Sequence, residues 1–179
     1  MKSNMFIAEV DGLCYLLNPT EKTAKVTYKN VKKWLNDDYA KGGLIIPSSI
    51  NYRGVDYNVT EILDCAFCGC NQLRYISVPD TVTEIGKDAF NDCLALEVVE
   101  LPDTLIRIGE MAFWGCSKLH TINIPRELQK IECMAFCNCP SLKTVKIPWT
   151  PYYIEFNESV FGDGVSLDFE DGPERLDPY

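Results

Sequence analysis

The sequence predicts an α/β repeat solenoid, a right-handed stack of units with one parallel β-sheet and short helical or 3₁₀ turns on the opposite side. The main observation is self-similarity at a constant step of 23 residues. Four columns of small, aromatic, sulfur-containing and aliphatic residues keep this step through four consecutive units. We expect these columns to form the core, and their members are Ala66, Phe67, Cys70, Leu73, Ala89, Phe90, Cys93, Leu96, Ala112, Phe113, Cys116, Leu119, Ala135, Phe136, Cys139 and Leu142.

Each unit is predicted to contain one strand and one turn. In "LHTINIP" (119–125) apolar and polar residues alternate up to a proline, which is the period of a strand with one buried face. Proline cannot donate a hydrogen bond to a neighbouring strand, so it ends the strand. In "AFWGC" (112–116) a small residue, a ring and a thiol lie along one turn, which favours a short helix or 3₁₀ segment. A single unit cannot bury its apolar face alone, so the units must stack.

The two ends of the chain are interpreted as degenerate copies of the unit. Residues 51–59 interrupt the first copy and alternate around Arg53-Gly54, which predicts an inserted β-hairpin. In the last copy Glu170 and Gly172 are expected at the inward strand positions, as in a cap that stops further stacking. We divide the single domain into an N-terminal β-hairpin cap (1–43), a degenerate first repeat with the inserted hairpin (44–58), four full repeats (59–148), and a degenerate capping repeat with an acidic tail (149–179).

The consensus of the four full units, I-G-x-x-A-F-x-x-C-x-x-L-x-x-V-x-I-P-x-x-V, resembles the BspA-type leucine-rich repeat of bacterial surface proteins. Gly86 and Gly109 fill its glycine column, whereas Leu63 and Glu132 depart from it. The resemblance implies a leucine-rich-repeat fold and a non-catalytic protein-binding or adhesion module. It also implies a location outside the cell or at its surface, with host or matrix proteins as partners. An intracellular interaction scaffold of the same fold is the alternative.

Charge and composition exclude other classes of function. The 179 residues carry a net charge of −9, and residues 150–179 contain eight acidic residues and one basic residue. No basic surface is left to displace counterions from a phosphate backbone, so we expect no nucleic-acid partner. Glu9 and Asp11 interrupt the apolar stretch near the N-terminus, so no signal peptide or membrane insertion is predicted. This favours the cytoplasm as the alternative location, and nine cysteines, an odd number, slightly favour a reducing compartment.

The outward strand residues form the candidate binding surface. A solenoid presents an extended sheet whose outward residues vary without disturbing the core. These residues are polar and mixed in charge, and we expect a protein partner, a monomeric module and no cofactor. Ordinary solvent exposure of strand residues is the alternative interpretation. We call the set the sheet face, and its members are Arg74, Tyr75, Ser77, Glu97, Val98, Glu100, His120, Thr121, Asn123, Lys143, Thr144 and Lys146.

Two cysteine clusters raise the possibility of a small thiol- or metal-dependent enzyme, and they contain Cys65, Cys68, Cys70, Cys133, Cys137 and Cys139. Three repeats separate the clusters, which places them about 14 Å apart at ~4.8 Å per strand. Zinc–sulfur bonds of about 2.3 Å cannot bridge that distance. A local disulfide between Cys65 and Cys68 is conceivable but constrains little of the chain. His120 is the only histidine and has no obvious nucleophile beside it, so we expect no metal site and no catalysis.

Overall fold

The computed structural model describes residues 4–28, 42–149, 154–155 and 159–170. Within these ranges the chain forms thirteen strands, and no helix long and apolar enough to cross a membrane is found. Three N-terminal strands form an antiparallel meander in which each strand pairs with the next. These strands are β1 (Phe6–Val10), β2 (Leu13–Asn18) and β3 (Thr23–Thr27).

A β-hairpin is inserted at the start of the stack, where the sequence predicts one. Its strands β5 (Ser49–Tyr52) and β6 (Val55–Ile62) pair antiparallel and are joined by Arg53 and Gly54. Both turn residues have positive φ, 53° and 82°, as a type I′ hairpin turn requires. Because β6 also pairs in parallel with β3, the hairpin connects the meander to the repeats.

Parallel strands run along two sides of the stack, where the sequence predicts one parallel sheet. The strands before the prolines are β4 (Gly42–Ile45), β7 (Leu73–Ser77), β9 (Val98–Glu100), β12 (Thr144–Ile147) and β13 (Ser166–Phe169). On the second side β6 is followed by the two-residue strands β8 (Glu84–Ile85), β10 (Arg107–Ile108) and β11 (Lys130–Ile131). The single-sheet expectation missed this second side because a two-residue strand is too short to show alternation in the sequence.

The strands that precede the prolines do not form one uninterrupted sheet. They form a three-stranded sheet with the order β4-β7-β9 and a separate pair, β12-β13. In the third unit Asn123 forms an isolated parallel bridge with Lys146, and no strand pairing is found there between β9 and residues 119–123. This side of the stack is therefore divided between its second and third units.

The turns around the Ala-Phe pairs are not helical in the described residues, in contrast to the predicted helical or 3₁₀ segments. The amide of Phe67 instead donates to the carbonyl of Ala89 in the next unit at 2.7 Å, while the amide of Cys70 closes a tight turn onto Phe67 at 3.0 Å. A helix requires consecutive right-handed residues, and a left-handed residue precedes each pair. These left-handed residues, with φ between 54° and 58°, are Cys65, Asp88, Met111 and Met134.

Phenylalanine rings of successive units stack in one column through the core. The centroids of Phe67 and Phe90 lie 5.1 Å apart with nearly parallel planes, and the column continues at 5.0, 5.2 and 5.5 Å to Phe161. Of the sixteen residues expected in the core, fifteen are buried. Cys70 is half-buried because it lies in the first full unit, where its column begins.

The last copy of the unit keeps the turn of the repeat but has a shorter connection to its strand. Phe161 bridges Phe136, an offset of 25 residues, whereas β13 pairs with β12 at an offset of 22 residues. Leu167 therefore takes an inward position, and Glu170 is exposed just after the strand. The inward assignment of Glu170 was wrong because the segment between the turn and the strand is three residues shorter than the offset of the turn implies. Gly172, the other residue assigned inward, lies outside the described residues. The division of the chain into four parts stays a prediction.

Candidate functional site

The sheet face follows the outward side of the strands that precede the prolines. Alternate side chains of a strand point to opposite sides, so the residues that flank the buried strand positions point to solvent. All twelve predicted residues reach solvent, and Tyr75, Ser77 and Glu97 are half-buried while the others are exposed. By alternation Tyr75, Ser77 and their equivalents share the outward side, whereas the residues that directly precede them, Arg74, Glu97, His120 and Lys143, also reach solvent. The role of all twelve in binding stays a prediction.

Strand pairing brings sheet-face residues of neighbouring units side by side, in the pairs Tyr75–Val98, Ser77–Glu100 and Asn123–Lys146. No pairing joins Val98 or Glu100 to the third unit, because the strands are interrupted there. The face therefore has an N-terminal part on β4, β7 and β9 and a C-terminal part on β12 and β13.

The face extends at both ends beyond the twelve predicted residues. The strand β4 adds Gly43 and Ile45, and β13 adds Ser166 and Asp168, in register with the neighbouring strands. Ile45 is 73% exposed, the highest value among the large hydrophobic residues that the structure describes. Ile45 stands two residues before its proline, as the outward Ser77, Glu100, Asn123 and Lys146 do in the full units, so the phase of the repeat already identifies it.

Tyr75 leans across the face towards the next unit. Its hydroxyl donates a hydrogen bond of 2.6 Å to Oε2 of Glu100. This hydrogen bond is the main reason that the pKa of Tyr75 is raised above its ordinary value. The ring lies beside Gly43, since a Cβ atom at that position would be 3.4 Å from Cδ1 of the tyrosine. Together with Ile45 and Val98 on the adjoining strands, Tyr75 forms an apolar part of the face.

Charged residues are distributed unevenly over the sheet face. The second unit contributes the acidic Glu97 and Glu100, and the fourth unit contributes the basic Lys143 and Lys146 at equivalent positions. The third unit, which lies between them, contributes no carboxylate or ammonium group to the twelve residues. Nζ of Lys118 lies 3.7 Å from Oε1 of Glu97, and an exposed pair of this kind contributes little to stability. The face is therefore acidic in one unit and basic two units further on.

The cysteines of the repeat column are packing residues. Sγ of Cys93 lies 3.1 Å from the carbonyl oxygen of Phe67, and Cys116 and Cys139 repeat this contact with their preceding units at 3.2 Å. Burial raises the pKa of all three thiols, that of Cys139 to about 12. A thiol with such a pKa stays protonated at neutral pH, and the thiol is a much weaker nucleophile and metal ligand than the thiolate.

The remaining thiols of the two cysteine clusters are half-buried and free. Burial is the main cause that raises the pKa of Cys68 to about 11. Sγ of Cys133 lies 3.2 Å from Oγ of Ser159, and Sγ of Cys137 lies 3.1 Å from the carbonyl oxygen of the same serine. No group of three or more potential metal ligands occurs in the described part of the chain.

The second side of the stack carries a charged column that the sequence analysis did not identify. Nη2 of Arg107 lies 3.0 Å from Oε1 of Glu132, and Nη1 lies 3.3 Å from Oε2 of Glu84. These carboxylates belong to the units on either side of the arginine, so the guanidinium connects three successive units. Because its charge is already paired, this column is better suited to holding units together than to binding a partner.

Solved structures of other proteins share this architecture. The chain is similar to a leucine-rich repeat protein of T. pallidum, with 28% identity over 90% of this chain and a TM-score of 0.66. It is also similar to leucine-rich repeat proteins of Bacteroides capillosus (24% identity, 92% of this chain and 99% of that one, TM-score 0.64) and Bacteroides ovatus (23%, 87% and 55%, TM-score 0.55). The chain spans 64% of the T. pallidum protein. A comparison with curated proteins gave no match.

A family profile confirms the resemblance that the repeat consensus indicates. The profile of the BspA type leucine rich repeat region matches residues 47–167 in six copies, which is more than half of the chain. The matched residues include the four full units and reach into the copies at both ends. The chain belongs to the BspA-type leucine-rich repeat family.

Proposed function

We propose that the protein is a non-catalytic protein-binding module that binds its partner through the sheet face. Membership of the leucine-rich repeat family supports a protein-interaction role. The observation that supports this particular face is that the exposed Ile45 and Val98 and the half-buried Tyr75 lie on three adjacent strands, beside the charged Glu100. Aromatic and apolar side chains with a polar surround are typical of the energetically important centre of a protein interface.

The finer part of the proposal concerns the location of the protein and its biological role. We propose a location at the bacterial surface or outside the cell, and adhesion to a host or matrix protein. The support for both is the likeness of the repeat to those of bacterial surface proteins. An extended sheet surface suits this role because its outward residues change without loss of the core.

A pull-down with the immobilised protein tests the proposal, using extracellular matrix extract and bacterial lysate as sources and mass spectrometry to identify captured proteins. We expect specific capture by the original protein and loss of capture when Tyr75→Ala, Glu100→Ala, Asn123→Ala and Lys146→Ala are combined. A control variant changes exposed residues outside the face, Lys87→Ala, Glu127→Ala and Gln129→Ala, and should retain capture. Capture that survives the face changes would show that the face is not the binding surface.

A further inference from the structure

The sheet face carries a charge pattern that is complementary to itself. Glu97 and Lys143 occupy one column of the face, and Glu100 and Lys146 occupy a second column. In each column the acid and the base are two repeats apart, with the third unit midway between them. The two charged units therefore lie one repeat to either side of the third unit and are opposite in sign.

A two-fold axis that passes through the third unit, along its strand direction, brings these charges together. Rotation about this axis reverses the order of the units in the second copy. It keeps the position along each strand unchanged, so residues of one column face residues of the same column in the second copy. The second unit of one copy then faces the fourth unit of the other, so Glu97 faces Lys143 and Glu100 faces Lys146. Symmetry repeats both pairs, because the contacts of a two-fold interface occur twice.

The other units meet in the same arrangement without like charges in opposition. The first full unit, which contains β7, faces the last unit, which contains β13. The third unit faces the same unit of the second copy through uncharged or imidazole side chains. For the outer units, the opposing residues are Arg74 with Val165, Tyr75 with Ser166 and Ser77 with Asp168. The pattern is thus compatible with contact from β7 to β13, and β4 lies beyond the end of this contact.

The distances and the free charges suit such a contact. Two sheets that pack face to face lie about 10 Å apart, a distance that an extended lysine and an extended glutamate span together. Among the ion pairs of the described residues none involves Glu100, Lys143 or Lys146. The two lysines are therefore available to a partner. Oε2 of Glu100 already accepts the 2.6 Å hydrogen bond from Tyr75, so its other oxygen is the one that a partner can bind, and Glu97 has one exposed partner at 3.7 Å.

We propose that a second copy of this chain binds the sheet face, in an antiparallel two-fold dimer with four Glu–Lys pairs. The inference rests on the proposed function, since it names the partner of the same face. Five strands at ~4.8 Å and about three residues each give a face on the order of 250 Å² per copy. Stable interfaces bury about 800 Å² per partner, so this dimer is weak and requires high protein concentration. Its exposed ion pairs make it sensitive to salt.

Two charge-reversed variants test the dimer by sedimentation velocity. The first, Glu97→Lys with Glu100→Lys, has only basic groups at the four positions. The second, Lys143→Glu with Lys146→Glu, has only acidic groups there. Each variant alone should sediment as a monomer at a concentration and low ionic strength at which the original protein dimerises. An equimolar mixture of the two should restore the dimer, because every basic position then faces an acidic one.

Control variants separate this pairing from general charge attraction. Glu21→Lys with Glu127→Lys changes the net charge equally but on exposed residues outside the face, and it should dimerise like the original protein. In a mixture of the basic-face variant with a Lys22→Glu and Lys87→Glu variant, which adds acidic groups outside the face, the second variant should dimerise with itself while the basic-face variant remains monomeric. Circular dichroism verifies that each variant is folded.

Two results would overturn the dimer: an original protein that remains monomeric at low salt and high concentration, or a mixture of the two face variants that fails to associate. If capture in the pull-down still depends on the face in that case, the proposed function stands and the second copy is the wrong partner. If capture also ignores the face changes, the proposed binding surface is wrong as well.

Discussion

The Sγ atom of Cys116 lies 3.2 Å from the backbone carbonyl oxygen of Phe90, which belongs to the preceding unit. The thiol therefore fills a small apolar position and donates a hydrogen bond to a neighbouring unit at the same time. Cys93 and Cys139 make the equivalent contact, so the cysteine column links four successive units through buried hydrogen bonds. This arrangement explains why a thiol occupies the position without any need for reactivity.

Replacement of Cys116 by alanine should lower the free energy of unfolding by about 1–3 kcal/mol. The change removes a buried atom and leaves the Phe90 carbonyl without this donor. Urea denaturation measures the loss. Cys65→Ala, at a half-buried turn position, is the control and should stay within about 0.5 kcal/mol. Equal losses at both positions would contradict a structural role for the column thiols.

The buried thiols should make the fold less stable at high pH. The pKa of Cys139 is about 12 in the folded protein, against an ordinary value of 9.0. Between these values the unfolded chain has lost the proton while the folded chain retains it. The free energy of unfolding therefore falls as pH rises from 9 towards 12, and this contribution is fully present below pH 9.

Denaturation at a series of pH values checks this expectation. Each such thiol contributes a slope of up to about 1.4 kcal/mol per pH unit. Cys139→Ala should show a slope that is shallower by one proton than that of the original protein. An unchanged slope in this variant would show that the thiol ionises alike in both states.

Truncation of a ring in the phenylalanine column should be among the most destabilising changes. Phe113→Ala removes a fully buried side chain whose neighbours lie 5.0 and 5.2 Å away on both sides. We expect a cost of about 3–5 kcal/mol, measured by thermal or chemical denaturation. Phe169→Ala is the matched control, because that ring is 61% exposed and its loss should cost little. Similar losses for the two variants would contradict the inward direction of the column.

Alanine at Gly109 should be poorly tolerated. An added Cβ atom would lie 2.6 Å from the carbonyl carbon of Gly86 and 2.7 Å from the amide nitrogen of Lys87, both of which are backbone atoms. Backbone cannot rotate away as a side chain does, so we expect a loss of about 1–3 kcal/mol or more. At Gly162 the nearest atom is 3.6 Å away, and Gly162→Ala should be neutral within about 0.5 kcal/mol. Chemical denaturation of both variants distinguishes a steric clash at Gly109 from a destabilisation that any glycine-to-alanine change would cause.

The core could be predicted from the sequence because burial demands the same type of residue in every unit. The period of 23 residues therefore identifies the Phe113 and Leu119 columns directly. The turns could not be predicted in the same way. Asp88 and Met111 both have a φ of 54°, yet their side chains share no chemical property that favours this conformation. The hydrogen bonds between units impose the left-handed backbone, and local preference does not reveal them.

For the candidate site, too, the sequence predicts which residues point outward but not which side chains contact each other. The outward direction of Tyr75 follows from strand alternation, and so does that of Ile45, which is found by extending the pattern into β4. The hydrogen bond from Tyr75 to Glu100 depends on how far one side chain leans across the sheet, which the repeat does not determine. The sequence analysis also missed the shortened connection before Leu167. The last copy departs from the 23-residue period, so the period cannot predict which of its residues pair with β12.

The hydrogen bonds between turns have a consequence for the evolution of chain length. The amide of each Phe in the turn finds its acceptor in the following unit, as Phe90 does in Ala112. Insertion or deletion of one complete unit therefore leaves all these amides with partners, whereas a shift of a single residue within a turn separates donors from acceptors. Genes for such proteins can lengthen and shorten by duplication and loss of whole units, and variation in spacing is confined to connections such as the one before Leu167.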